Sequence, residues 1–292
     1  MPTRKVKPRI QKSPKAYSNA EFLNSPDARS LRILSEFLEP LRRFRYHGIK
    51  DTIVFFGSAR TKSRTEALRN LRVLEKRMKS VKRITGDMQA EMQRAQLQIE
   101  IARYYEDALE LSRKLTEWSK KLYDHNRFVV CSGGGPGIME AANKGAHNAR
   151  GKSIGLNISL PFEQFPNQYI SEEFNFEFHY FFMRKFWFAY LGKAFVMFPG
   201  GFGTLDEMME VLTLLQTGKI RKKVTLVLYG SEYWKKVVNF EMMVRYGVIN
   251  REDLKLFTFA DTPEEAFQHL TRELRKNYPR ETKESGSVSL RI

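Results

Sequence analysis

"KAFVMFPGGFGTLDEMMEVLTLLQTGK", residues 193–219, is the stretch on which the fold turns. An apolar run from Ala194 to Phe198 gives way to Pro199, Gly200, Gly201 and Gly203, and a segment with helical apolar spacing follows at once. A short uninterrupted apolar run closed by glycines suits a strand buried on both faces. The order of strand, glycine loop and helix recurs in "RFVVCSGGGPGIMEAANKGAHNAR" (127–150), and "DTIVFFGSAR" (51–60) is a further apolar run closed by Gly57-Ser58. "KSIGLNISL" (152–160) and "KKVTLVLYG" (222–230) supply two more strands. Strands that alternate with helices predict an α/β fold, a parallel sheet with helices on both faces and right-handed crossovers.

Outward from these units the chain carries additions. "SPDARSLRILSEFLEPLRRF" (25–44) reads as a helix capped by Ser25 or Asp27, which Pro40 kinks or ends. Residues 63–124 are helical in pattern but too long for one crossover, so Thr85-Gly86-Asp87 marks a reversal inside a helical hairpin. "DTPEEAFQHLTREL" (261–274) is a last helix, with Thr262 as cap, Pro263 at its first position and Glu265 completing a capping box. The expected organisation is a disordered basic arm (1–18), a helical extension (19–48), an α/β domain (49–278) with a helical insertion at about 62–104, and a disordered tail (279–292).

Composition excludes several classes. With 42% hydrophobic and 13% aromatic residues among 292, the chain can bury a full core. It has no run of about 18 apolar residues, so no membrane span is expected. The N-terminal stretch lacks the apolar segment of a secretory signal, and the single Cys131 cannot form an internal disulfide; both fit a cytoplasmic protein. The net charge of +17 gathers in the arm, in residues 60–103 and in Arg221-Lys222-Lys223. The stretch 60–103 has no aromatic on which single strands could stack, so solvated helix faces explain it more simply than nucleic-acid binding.

In a parallel sheet, ligands collect at the carboxyl ends of the strands, where helix amino termini aim unpaired amides at them. Three such ends carry small-residue loops: Gly57-Ser58, Gly133-Gly134-Gly135 and Gly200-Gly201-Phe202-Gly203. A dinucleotide site would place a carboxylate at the end of the strand after the glycines, but "SIGLNISL" offers only Asn157 and Ser159. "RGKS" (150–153) is not a nucleoside-triphosphate loop, because Ala146 occupies the place of the first glycine. The five histidines show no metal-ligand spacing and no Gly-x-Ser-x-Gly occurs, so neither metal nor serine chemistry is called for. Glu207 admits two readings: Thr204 and Glu207 fit a capping box, and the same position would hold a carboxylate near a bound sugar. Arg184 and Lys185 interrupt an apolar helix, "EFHYFFMRKFWFAYLGK" (177–193), so they must reach solvent, a carboxylate or an anion.

"PGGFGTLDE" resembles the PGGxGTxxE signature of the Lonely Guy (LOG) family, and "MRK", with its arginine 15 residues before the signature proline, resembles that family's upstream arginine motif. "FFGSAR", "SGGGPGIMEAAN", "GLNISLPFEQFPN" and "LTLLQTGKI" are similar to the matching stretches of bacterial members, over roughly residues 49–250. The arm, the insertion and the tail depart from the compact members. The resemblance implies a Rossmann-like fold, a homodimer or larger homo-oligomer, no cofactor, and hydrolysis of the N-glycosidic bond of nucleoside 5′-monophosphates, AMP-like or cytokinin ribotides, to free base and ribose 5-phosphate. By position it implies Arg184 and Glu207 as the catalytic pair and Gly200, Gly201, Phe202, Gly203 and Thr204 as the phosphate loop. Gly57, Ser58, Gly133, Gly134, Gly135, Met139 and Lys185 complete the expected site. A binding protein that keeps the fold and holds a phosphorylated ligand uncleaved is the alternative.

Overall fold

The computed structural model describes residues 12–81, 83–122, 126–161 and 165–279. In chain order the helices are α1 (Ala20–Asn24), α2 (Arg29–Tyr46), α3 (Arg64–Lys79), α4 (Gly86–Lys120), α5 (Ile138–Asn148), α6 (Phe181–Leu191), α7 (Phe202–Gln216), α8 (Ser231–Val237), α9 (Phe240–Arg245) and α10 (Pro263–Asn277). The strands are β1 (Thr52–Phe56), β2 (Val129–Ser132), β3 (Ser153–Ile158), β4 (Asn175–Phe178), β5 (Gly192–Met197), β6 (Thr225–Tyr229) and β7 (Thr258–Ala260). They form one sheet in the order β4-β3-β2-β1-β5-β6-β7, parallel at every pairing. This is the expected α/β, Rossmann-like architecture. β4 and β7 had no counterpart among the expected strands. They are short edge strands, and β4 alternates exposed and buried residues, so neither shows the continuous apolar run of a central strand.

β1 is buried along its whole length. Ile53, Phe55, Val130, Val196 and Val227 pack on one face against Leu111 and Leu115 of α4, Ile138 and Ala142 of α5, and Leu270 and Leu274 of α10. On the opposite face Phe56 meets Phe188 of α6 edge-on at 4.8 Å, and Phe44 lies 5.3 Å from Trp187 and 4.9 Å from Phe176. Both faces are therefore covered, as a parallel sheet requires.

The chain divides into two compact units, through Arg42 and from Arg43 onward, so the division falls inside α2, before the boundary expected at 48. Pro40 does not end α2, which runs on to Tyr46. A proline costs a helix one backbone hydrogen bond and some crowding, and here the turns on either side continue regardless. Ser25 and Asp27 do not cap it either, since a 3-10 turn at Pro26–Ala28 leads directly into Arg29. The hairpin is present as two helices. Ser63 caps α3, Thr85 caps α4, and Arg77 pairs with Glu91 across them. α3 ends at Lys79 and Thr85 caps α4, so Gly86 opens α4 instead of turning the chain. Buried residues in α4 begin at Ala102, which makes its second half the crossover from β1 to β2 and its first half an extension. The final capping box forms as expected, with Thr262 and Glu265 each accepting from the other's backbone amide. Of the expected arm, residues 1–11 lie outside the described residues, and Ala16–Ser18 forms a 3-10 turn; of the expected tail, 280–292 lie outside them. Among the described residues no helix is long and apolar enough to cross a membrane.

Candidate active site

β1 lies between β2 and β5, where the strand order reverses, and the loops leaving these three strands converge. The β1 loop laces to both of the others. Ser58 donates its amide to the Pro199 carbonyl at 3.0 Å, and its carbonyl accepts from the Ile138 amide at 3.1 Å. Two glycines make this approach possible. A Cβ on Gly57 would lie 2.8 Å from Ile138, and Gly137, with φ of +70°, passes so close that a Cβ would meet the Ser58 carbonyl oxygen at 2.3 Å.

The third loop opens into α7. Gly201 is its amino-terminal cap and contributes no side chain, and the first helical hydrogen bond runs from the Leu205 amide to the Gly201 carbonyl at 3.0 Å. The amides of Phe202, Gly203 and Thr204 thus precede the helical ladder and face outward with the positive end of the helix dipole. A Cβ added to Gly201 or Gly203 would touch nothing, and Phe202 is exposed, so a ligand can approach the turn closely. The Thr204 hydroxyl folds over Gly200, where a Cβ would meet it at 2.1 Å. The capping box expected of Thr204 and Glu207 does not form. Because α7 starts at Phe202, Thr204 already lies inside the first turn, and Glu207 is freed to face another partner.

From α8, Tyr233 donates its hydroxyl to the Gly200 carbonyl at 2.7 Å. This bond anchors the Gly200 carbonyl at the start of the loop. Tyr233→Phe removes about 1 kcal/mol of orientation. The expected result is an approximately fivefold rise in KM for a phosphorylated ligand at nearly unchanged kcat. A fall in kcat at constant KM in steady-state kinetics would contradict that role.

Glu207 is buried and faces Arg184 of α6, with Arg184 Nη2 3.6 Å from Glu207 Oε1. The separation is too long for a hydrogen bond, and the buried Arg184 Nε has no partner among the described residues. The Arg184 guanidinium lies over the rings of Phe181 and Phe188, at 5.1 and 5.8 Å. Burial pushes the Glu207 carboxyl up to about 7, against the lowering pull of Arg184 and Lys185, and burial lowers Arg184 in turn. A buried, incompletely satisfied ion pair is costly to a fold, which makes it a candidate for chemistry.

These groups line one cleft of 1370 Å³ together with Gly57, Ser58, Gly133 and Met139. Lys185 is not among them. It pairs with Asp206 at 2.8 Å and Glu210 at 3.2 Å, one turn apart on α7, and so ties α6 to α7. Gly134 and Gly135 also stay outside the lining. Their carbonyls accept from the Asn167 side chain at 3.0 and 3.1 Å, and Asn167 in turn donates to Asn143 Oδ1 at 2.9 Å. Sequence reasoning missed Asn167, Tyr233, Phe181 and Phe188. A helical pattern with an aromatic after Gly230 was the one available sign of Tyr233, and it does not distinguish a loop support from a core residue.

Residues 139–270 match the family model described as "Possible lysine decarboxylase". Annotated relatives that align with the chain are cytokinin riboside 5′-monophosphate phosphoribohydrolases of the LOG group. The chain is similar to members of the Lonely Guy (LOG) family. It is 29% identical over 160 residues to the probable cytokinin riboside 5′-monophosphate phosphoribohydrolase LOGL2 of Oryza sativa subsp. japonica, covering 53% of this chain and 63% of that one. To LOG7 of Arabidopsis thaliana it is 27% identical over 172 residues, 57% of this chain and 73% of the relative. The LOG-family match thus spans just under two thirds of the length of the rice relatives, at 63% and 61% for LOGL2 and LOGL6. Among solved structures, the Moco carrier protein of Chlamydomonas reinhardtii superposes with a TM-score of 0.44 at 18% identity, over 78% of this chain and 99% of that one.

Proposed function

We propose that this chain is a member of the LOG family and hydrolyses the N-glycosidic bond of nucleoside 5′-monophosphates, releasing free base and ribose 5-phosphate. The observation that carries the reading is the buried Arg184–Glu207 pair beside the amino terminus of α7. The amides of Phe202, Gly203 and Thr204, with the Thr204 hydroxyl, take the 5′-phosphate. Binding energy gained there, away from the reacting bond, positions the sugar. As the C1′–N bond breaks, its electron pair leaves with the base and positive charge grows on the ribose. The Glu207 carboxylate stabilises that charge and takes a proton from the water that adds to C1′. Arg184 faces the β2 loop, with Nη1 3.9 Å from where a Gly133 Cβ would stand, and this supports a place beside the ribose and the departing base, away from the phosphate loop. There its charge also favours the ionised form of Glu207.

The test is to incubate the protein with AMP, CMP, GMP, UMP and a cytokinin ribotide and to measure ribose 5-phosphate. Release from at least one of them is expected, and none from any would sink the reading. The pH profile adds a second check. Because Glu207 must be ionised and its carboxyl sits at about 7, kcat/KM rises with pH below that value and levels off above it. Arg184→Ala removes the cation that holds the carboxyl down, so the rising limb moves to higher pH, whereas Arg184→Lys leaves it near its place. Comparing the variants on one substrate separates the enzyme's group from the phosphate's own titration.

A further inference from the structure

Asn157, near the carboxyl end of β3, lines the same cleft as Arg184 and Glu207. It stands where a dinucleotide site would carry a carboxylate, and it offers a neutral amide instead. Its side chain is held from behind. Nδ2 donates to the Phe176 carbonyl and to Asn175 Oδ1, each at 2.8 Å, on the neighbouring strand β4. A backbone carbonyl only accepts, so the Phe176 bond fixes which end of the amide is nitrogen. Both Nδ2 hydrogens are thereby used, and Oδ1 is left as an acceptor of fixed direction.

No donor reaches Asn157 Oδ1 among the described residues, and it is not sealed away with the buried polar atoms, so it opens to the cleft. The Gly134 amide, on the β2 loop, is spent on Ser132 Oγ at 3.1 Å. Gly134 also makes room for the acceptor. With φ of +73°, it passes so close that a Cβ there would meet Asn157 Oδ1 at 2.1 Å.

The place of Asn157 along the sheet corresponds to a base. The α7 amino terminus follows β5, and the Arg184–Glu207 pair faces the β2 loop. In the order β3-β2-β1-β5, Asn157 lies three strands from the phosphate end, roughly 14 Å at about 4.8 Å per strand. A nucleoside monophosphate laid from the α7 amides past the catalytic pair therefore brings its base to the end of β3. The lining changes character in the same direction. Ile158 and Leu160, from the same segment as Asn157, and Met139, packed on Gly133, give apolar surface there. Apolar walls with one aimed polar group suit a flat heterocycle.

We propose that Asn157 Oδ1 reads the base by accepting a hydrogen bond from its exocyclic amino group, so that adenine and cytosine nucleotides are preferred over their oxo counterparts. The inference rests on the nucleosidase reading for the pose of the sugar, and on Asn157 for the choice of base. An oxo group in the same place sets one acceptor against another and leaves both without a donor.

Calorimetric binding to Glu207→Gln, which keeps the cleft and lacks the reacting carboxylate, reads this contact apart from the chemistry. AMP is expected to bind about tenfold more tightly than purine riboside 5′-monophosphate, which lacks the amino group and adds no bulk. IMP should bind at least as weakly as that analogue, and CMP should exceed UMP in the same sense. Asn157→Ala in the same background should weaken AMP about tenfold and IMP less than twofold, so that the two affinities converge. The ligand series needs no change at Asn157 and decides the matter even where that variant fails to fold. Equal binding of AMP, the purine analogue and IMP, or a folded Asn157→Ala that keeps the AMP preference, would overturn the proposal. Base release by the wild type separates the two readings. If AMP and IMP bind and are cleaved alike, this inference alone fails. If AMP is preferred in binding and nothing is cleaved, the nucleosidase reading fails and the role of Asn157 stands. Binding of none removes both.

Discussion

Glu207→Gln is expected to lower base release by about 10²- to 10⁴-fold and, at the same time, to stabilise the folded protein at neutral and alkaline pH. The two effects have one cause. The carboxyl sits at about 7 in the fold against an ordinary 4.5, because burial penalises its charged form more than Arg184 and Lys185 favour it. Between these values the folded state holds a proton that the unfolded chain has lost. Stability therefore falls as pH rises from 4.5 to about 7, and the full cost remains above that. At 1.36 kcal/mol per pH unit, the ionised carboxylate costs the fold about 3 kcal/mol. Glutamine keeps the shape without the charge and recovers most of it. Thermal unfolding at pH 8 should show the variant above wild type, with the gap narrowing at pH 5, where wild-type Glu207 is already protonated. A variant that melts below wild type at pH 8 would show that the ion pair stabilises the fold, contrary to this account.

Gly137→Ala is expected to destabilise the protein by about 3 kcal/mol and to disorganise the cleft with it. Gly137 caps α5 with φ of +70° and ψ of −129°, a conformation closed to residues with a Cβ. An added Cβ would meet the Ser58 carbonyl oxygen at 2.3 Å and Ala59 backbone carbon at 2.7 Å. These are backbone atoms of the β1 loop and cannot rotate aside. The strain thus transmits to Ser58, whose amide and carbonyl hold the β1 loop to the other two. Gly218→Ala is a useful control, because Gly218 also has a positive φ, of +65°, yet has nothing within reach of a Cβ. Denaturant unfolding should show a clearly larger loss for Gly137→Ala, together with a raised KM. Equal losses at the two positions would mean that dihedral strain alone accounts for the effect and that the close approach contributes nothing.

Much of this was legible before any coordinates. Local chemistry sufficed for the five central strands, because a strand buried on both faces must be an unbroken apolar run, and for the glycine loops that end three of them. It sufficed for the last helix, whose cap, proline and capping glutamate all lie within four residues. The edge strands were hidden because one exposed face breaks the apolar run. Pro40 and the Thr204–Glu207 pair misled for a related reason. A breaker or a capping pattern states a local preference of a few kcal/mol at most, and packing elsewhere can outweigh it or move the helix start by three residues.

Arg184 and Glu207 could be marked in the sequence as charges in apolar company, 23 residues apart. That they face one another at 3.6 Å, and that the neighbouring Lys185 turns instead to Asp206 and Glu210, depends on how α6 packs beside α7. Tyr233 reaches the Gly200 carbonyl because β6 lies beside β5, and Ser58 reaches the Pro199 carbonyl because β1 does. The sequence by itself determined which segments become strands, which loops carry glycine and which residues bear charge, since these follow from periodicity and side-chain chemistry. Only the tertiary structure decided which charges meet, which glycine line the cleft touches and how far the cleft extends, because those contacts join residues far apart in the chain and are set by strand order and helix packing.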